Sequence, residues 1–350
     1  MMKIFIISPY KKTGGPRSLH QLGNKLVSQG LDVYMYYGYR GNHTKTNQIL
    51  YPDSHVKIAD SIEDRKENVI ITPESDTGWL LRLKKIKKVI WWLSLDYYLG
   101  NNNWYFAKHM TKSLGEPPVY VLLKYFKQVY LNVTEKRKNS YLITKEFPKL
   151  YHLYNSEYVH QFLIKNSVSP QKMQYLCGPI DIKKTDKSNV IGKKKNIIAY
   201  NPTKMNRSFF KKINKYIESN YSGYRLVPIK DMNHKQVIDV LQKAKVYMDI
   251  GYFPGPERMP REAVMQYCNI VTSNLGSAKN SIDVPIPQQF KFELVDENVP
   301  SICNQMINMC DDFSTYIDLF DKYRDLVEYQ IDIFDTCITT FSKKMRNGDI

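Results

Sequence analysis

The sequence has few cysteines and no arrangement of them that carries chemistry. The five, Cys177, Cys268, Cys303, Cys310 and Cys337, are odd in number and show no CxxC or Cys/His ligand spacing. That excludes a disulfide framework and a zinc site and implies a reducing compartment. Long apolar runs are missing as well. The opening run Ile4 to Ile7 is too short for a signal-peptide core, and no later stretch approaches the roughly 20 apolar residues of a membrane span. The expectation is a cytoplasmic protein that neither is exported nor crosses a membrane. There is no internal repeat or low-complexity tract, and no RRM, KH, helix-turn-helix or zinc-finger signature, so nucleic acid is not an expected partner. No DxD-type metal site sits in a suitable loop, which predicts chemistry without a metal.

What is present describes a folded chain of two domains. At 350 residues the chain exceeds the size at which a single core keeps growing, and 43% hydrophobic with 24% charged residues is a globular balance. The net charge of +17 is concentrated early: residues 1–180 hold 26 Lys and Arg against 13 Asp and Glu. Such a field draws phosphorylated small molecules or anionic lipid headgroups, while a lysine-rich surface without a partner explains much of it too.

Strands and helices alternate along the chain. Lys3 to Ser8 is a continuous apolar run suited to a central parallel strand, followed by a helix from Arg17 to Gln29 that Gly30 ends. Strands are expected at Asp32 to Tyr37, Asn68 to Thr72, Val89 to Ser94 and Leu150 to Tyr154, with helices at Trp79 to Lys88 and from Ser156. A polar segment, 183–195, reads as a linker. The pattern then restarts. Strands are expected at Asn196 to Tyr200, Tyr224 to Pro228, Val246 to Ile250 and Ile270 to Ser273, with helices at Ser208 to Ser219, Asn233 to Lys243 and Arg261 to Cys268. Residues 313–344 read as one or two amphipathic helices. The alternation predicts two α/β domains, each with a doubly wound parallel sheet.

Residues 101–139 stand apart. They mix Trp104, Tyr105, Phe106, Leu122, Leu123 and Phe126 with Lys108, Lys112, Lys124, Lys127 and the run Lys136-Arg137-Lys138. A basic, aromatic, amphipathic surface of this kind can lie on an anionic membrane. The competing expectation is an ordinary helix packed on the sheet with a solvated lysine face.

The most specific segment is Pro254-Gly-Pro-Glu-Arg-Met-Pro-Arg-Glu-Ala263, a Pro/Gly-rich loop leading into a helix and then a buried strand. Glu262 is expected in the first turn of that helix, whose N-terminus presents free amides. It is flanked by Arg258 and Arg261, which suits a diphosphate with a ribose beside it. These residues resemble the nucleotide-binding stretch of GT-B glycosyltransferases. With Gly276-Ser-Ala278 and Asp283-Val-Pro-Ile-Pro287, they are similar to a branch of bacterial surface-polysaccharide enzymes of the capsule or O-antigen type. The common pattern carries another acid where this chain has Pro254, with Glu257 displaced from it.

The resemblance implies two Rossmann-like α/β domains facing across a cleft. Residues 1–182 would bind the acceptor, 196–320 the nucleotide-sugar donor, and the 321–350 helices would pack back toward the first domain. It places Lys204 and Arg207 toward the donor diphosphate, Val227 to Asp231 at the base, and Gly14 and Gly15 in an acceptor or phosphate loop. Glu74 and Asp96 follow strands of the first domain, where open α/β sheets bind ligands, and with Glu257 they are the catalytic candidates. His20 is expected to be structural. The implied reaction moves a sugar from a nucleoside-diphosphate co-substrate to a hydroxyl of a glycan or lipid-linked acceptor, with no cofactor and a retaining outcome preferred. The alternative is a non-catalytic homologue that binds glycan or serves as a partner subunit.

Overall fold

The computed structural model describes residues 2–39, 42–100, 103–112, 116–133, 145–182, 185–203 and 205–350. The chain divides into two compact units: Met1–Phe106, Leu123–Pro179 and Gln330–Ile350 form one, Ala107–Leu122 and Ile180–Tyr329 the other.

The first unit runs β1 (Lys3–Ser8), α1 (Gly14–Ser28), β2 (Asp32–Tyr39), β3 (Asn42–His43), β4 (Lys57–Ile58), β5 (Val69–Pro73), α2 (Gly78–Arg82), β6 (Lys87–Trp92) and α3 (Leu95–Leu99). Helices α4 (Asn103–Lys112) and α5 (Pro118–Val133) follow, with residues 107–112 and 118–122 of them belonging to the second unit, and then β7 (Tyr151–Tyr154), α6 (Glu157–Lys165) and β8 (Met173–Tyr175). Among the described residues the strands form one eight-stranded sheet in the order β3-β2-β1-β5-β6-β7-β8, with β4 also on β2. All its pairings are parallel except β2 with β3. The uninterrupted apolar runs follow from burial on both faces. Ile4, Ile6, Val69, Ile71, Val89 and Trp91 pack one face, under α1, while Phe5, Ile7, Ile70, Ile90 and Trp92 pack the other.

The second unit contains α7 (Lys187–Ile191), β9 (Lys195–Tyr200), α8 (Arg207–Asn220), β10 (Arg225–Pro228), α9 (His234–Lys243), β11 (Ala244–Asp249), α10 (Arg258–Met265), β12 (Asn269–Ser273) and β13 (Lys291–Phe292). Helices α11 (Val299–Asp311), α12 (Phe313–Ile317) and α13 (Asp321–Asn347) complete the chain. Its sheet is parallel throughout, in the order β10-β9-β11-β12-β13. Within α13, Tyr323 and Val327 join the core of the second unit, and Phe334, Ile338, Phe341 and Met345 that of the first. Among the described residues no helix is long and apolar enough to cross a membrane.

Four expectations are corrected. The helix expected at Trp79 to Lys88 ends at Arg82, because the Asp64 carboxylate accepts the backbone N–H groups of Lys84, Lys85 and Ile86, each at 2.9 Å, and turns the chain into β6. The helix expected from Arg17 begins at Gly14, so the glycine pair lies in its first turn. The helix expected from Arg261 begins at Arg258. Pro260 then sits in the first turn, where its missing N–H costs no intrahelical bond, and Glu262 falls in the second turn.

Finally, the segment expected to be a linker is part of the second unit. Lys194, within it, is half-buried and donates to three carbonyls, Leu241 at 3.0 Å, Ala244 at 2.6 Å and Gln266 at 2.6 Å. These lie at the C-terminal ends of α9 and α10, where a cation meets the negative ends of two helix dipoles. Burial pulls the Lys194 pKa down.

Candidate functional site

Because the second sheet is parallel, the carboxyl ends of β9, β10 and β11 lie side by side and the segments following them share one edge. After β11 the chain makes a strap, Ile250 to Glu257, whose alternate carbonyls are held by one short segment. The Gly251 carbonyl accepts from the Ser273 hydroxyl, that of Phe253 from the Ser277 N–H at 2.8 Å, and that of Gly255 from the Ser277 hydroxyl at 2.7 Å. Gly276 makes this close approach possible. Its φ is +57°, and a Cβ there would lie 2.0 Å from the Phe253 oxygen.

The strap delivers the chain into α10, and the two arginines diverge there. Arg261 is 3% exposed and turns back on the strap, donating from Nε to the Glu257 carbonyl at 3.2 Å and from Nη2 to the Pro256 carbonyl at 3.1 Å. Arg258, half-buried, lies one turn before Glu262, with Nη2 3.5 Å from Oε1. The same oxygen is 3.8 Å from Nε2 of His234, the first residue of α9. Glu262 is itself 4% exposed. A carboxylate thus lies between an arginine and an imidazole at the sheet's carboxyl edge.

His234 was invisible as a site residue in sequence. It lies 28 positions from Glu262, and only the packing of α9 on α10 joins them. The signal that could have found it is Asn233 with Gln236, whose reciprocal capping bonds of 2.8 and 3.0 Å mark the start of α9.

Arg207 is exposed as the first residue of α8, where the Asn206 side chain accepts the Phe209 N–H at 3.1 Å. Lys204 lies outside the described residues. Glu257 is half-buried at the N-cap of α10 and makes no side-chain cap bond. Asp249, at the end of β11, accepts from the Tyr247 hydroxyl at 3.2 Å in the interior; desolvation holds that phenol well above its ordinary pKa. Among the described residues no group of three or more His, Cys, Asp or Glu could hold a metal ion.

The first unit brings its four candidate residues to the carboxyl edge of its own sheet, after the adjacent strands β1, β5 and β6. Gly14 and Gly15 open α1, whose N-cap Thr13 makes no side-chain cap bond and whose first turn contains no acid. Glu74 is 2% exposed and faces inward, accepting the Leu93 N–H at 2.8 Å, while the Asn155 amide donates to the Leu93 carbonyl at 2.9 Å. Together they fix the exit of β6. Burial raises the Glu74 pKa to about 7, against the opposing effect of backbone N–H groups. Asp96, in the first turn of α3, accepts from the Tyr105 hydroxyl. His20 bonds to the Pro16 carbonyl at 2.7 Å through Nδ1 and to the Tyr37 hydroxyl at 2.9 Å through Nε2, and that hydroxyl accepts from the Leu50 N–H at 2.9 Å. Burial lowers its pKa. Every polar atom of the imidazole is used within the fold.

No family model matches the sequence, and no curated protein sequence matches it. Solved structures do match the fold. Sucrose-phosphate synthase from Thermosynechococcus elongatus has a TM-score of 0.64 at 12% identity, over 99% of this chain and all of that one. The catalytic domain of starch synthase IV from Arabidopsis thaliana, bound to ADP and acarbose, has a TM-score of 0.55 at 11% identity over 99% of both chains. HepE from Anabaena, in complex with UDP, has a TM-score of 0.52 at 10% identity, over 98% of this chain and all of that one. The chain has the α/β fold with parallel sheets seen in these GT-B glycosyltransferase structures.

Proposed function

We propose that the chain is a glycosyltransferase that moves a sugar from a nucleoside-diphosphate sugar to a hydroxyl of a glycan or lipid-linked acceptor, in surface-polysaccharide synthesis. The observation that carries this reading is Glu262 held between Arg258 and His234 at the carboxyl edge of the second sheet. The fold is shared with HepE solved in complex with UDP and with starch synthase IV solved bound to ADP.

In this reading Glu262 accepts from the two ribose hydroxyls. Arg258, Arg207, Lys204 and the first amides of α10 stabilise the leaving diphosphate, whose charge grows as the glycosidic bond breaks. Arg261 acts through the strap, fixing Glu257 and its neighbours beside the donor. Gly14 and Gly15 offer uncapped amides of α1 to the acceptor side or a phosphate. Of the three acids, Asp96 and Glu257 are left for chemistry near the sugar; Glu74, turned onto the Leu93 amide, acts as a support. The reaction needs no metal or cofactor, the stereochemical outcome is retention, and the enzyme works in the cytoplasm. Pro254, standing where the family acid is expected, favours one second reading: a homologue that binds nucleotide or glycan without turnover.

The test is a thermal-shift panel of nucleoside diphosphates and nucleotide sugars, followed by donor turnover in excess chelator. One diphosphate family should raise Tm, and turnover should persist with EDTA. A panel in which no nucleotide stabilises the protein would overturn the reading. Stabilisation without any turnover would select the non-catalytic homologue.

A further inference from the structure

Glu262 is 4% exposed, yet it has no hydrogen bond of ordinary length. Arg258 Nη2 at 3.5 Å and His234 Nε2 at 3.8 Å both approach Oε1 from beyond the charge-assisted range of about 2.7 to 2.9 Å. Among the described residues Oε2 meets no donor. A buried carboxylate in this state has most of its acceptor capacity unused, which is unfavourable until donors reach it. His234 is equally uncommitted. Its side chain is 59% exposed, and among the described residues the imidazole makes no hydrogen bond or ion pair besides the contact with Glu262. An exposed ion pair of that length contributes little to stability. Helix α9 does not need it, because Val237 and Leu241 bury that helix in the core of the second unit.

The two neighbours of Oε1 come from different elements, and this orders the site. Arg258 is the first residue of α10. His234 opens α9 at the end of the segment that leaves β10, and the Ile229 N–H fastens that segment to the Tyr200 carbonyl at 2.7 Å. A nucleotide is ordered as well: base, C1′, C2′, C3′, C4′, phosphate. With the ribose on Glu262, the diphosphate at the first turn of α10 and the base beside the segment after β10, C2′ lies toward α9 and C3′ toward α10. This ordering rests on the donor reading given above. The 3.8 Å between Nε2 and Oε1 is too long for a direct hydrogen bond, and one hydroxyl oxygen at roughly 2.8 Å from each atom spans it. Such a hydroxyl donates to Oε1 and accepts from Nε2–H, a donor present in the imidazolium and in one neutral tautomer.

We propose that His234 reads the ribose 2′-hydroxyl of the donor, so that the site takes ribonucleoside diphosphates and rejects 2′-deoxyribonucleoside diphosphates, thymidine diphosphate sugars included. A site built to bond a hydroxyl discriminates against the analogue without it, because Oε1 and Nε2 are then left unpaired. The test is calorimetric titration of the full chain with UDP, ADP and GDP, each beside its 2′-deoxy and 3′-deoxy counterparts. The ribonucleotide that binds should lose roughly 30-fold or more in affinity as its 2′-deoxy form. His234→Ala should weaken the ribonucleotide about five- to ten-fold and leave the 2′-deoxy form within about two-fold. The ratio between ribonucleotide and 3′-deoxy form should stay as in the parent, since both keep the 2′-hydroxyl. His234→Gln, whose amide N–H reaches the place of Nε2, should restore most of the discrimination. The assignment is overturned if the parent binds a ribonucleotide and its 2′-deoxy form alike. It is equally overturned if His234→Ala weakens both forms to the same degree or weakens neither, which would leave the contact with Glu262 as an ion pair between two helices. A parent that binds none of the nine nucleotides fails at an earlier point and removes the donor reading itself, and this assignment with it.

Discussion

The carboxyl edges of the two sheets each carry a buried glutamate, and the two are partnered differently. Glu74 in the first unit is met by a backbone amide and sits among groups that fix a strand exit. Glu262 in the second is met by side chains, an arginine and a histidine drawn from two helices. A carboxylate satisfied by backbone is committed to the fold, since its partner cannot leave without unfolding. One held by side chains can exchange them for a ligand's hydroxyls. Position at a strand end does not distinguish the two; the identity of the partners does.

The largest effect that would break this comparison belongs to Gly276. Gly276→Ala forces a Cβ into the Phe253 carbonyl at positive φ and should cost about 3 to 5 kcal/mol, read as a drop in the denaturation midpoint together with loss of nucleotide binding. A stable variant with a normal site would show that the strap does not depend on this contact. Arg261→Ala comes next. It strips two donors from the strap carbonyls, and stability should fall by about 2 to 3 kcal/mol, with nucleotide affinity falling as a consequence.

Glu74→Gln sharpens the comparison from the other side. The folded pKa of Glu74, about 7, lies above its ordinary value, so the native state holds a proton that the unfolded chain has released. The stability tied to this group is complete below the ordinary glutamate range and is lost as pH rises through 7. Gln removes that dependence. The variant should match the parent near pH 4 and be more stable by roughly 3 kcal/mol at pH 8; parallel stability curves would contradict an inward-facing, protonated Glu74. The smallest change in stability is expected for Arg258→Ala. It should leave the melt within about 0.5 kcal/mol while weakening nucleoside diphosphate binding about ten-fold, with little effect on the free nucleoside.

The sequence exposed the alternation of strands and helices because a sheet buried on both faces needs apolar runs, such as Lys3 to Ser8 and Ile270 to Ser273. It also singled out the loop before α10, where prolines and glycines punctuate the chain. It failed where partners come from far away. Nothing local to Leu83 and its successors reveals that Asp64 will bond three of their amides and end α2. Arg258 and Arg261, three residues apart on one helix, look equivalent until burial separates them. Likewise His234 gains its place only through the packing of α9 against α10.

The strap between β11 and α10 has a consequence for how this site can change over time. Its grip is on main-chain oxygens, those of 251, 253 and 255 held from Ser273 and Ser277 and those of 256 and 257 by Arg261, and positions 251, 253 and 255 are buried while the side chains at 252, 254 and 256 are half-buried. Shape and side-chain identity are therefore uncoupled: the odd positions are locked and the even ones are open to variation. Tyr252, Pro254 and Pro256 form a short rail along which substitutions can alter what the site contacts without loosening what holds it. A combinatorial library at those three positions should retain folded members at high frequency, whereas the same library at 251, 253 and 255 should lose nearly all of them.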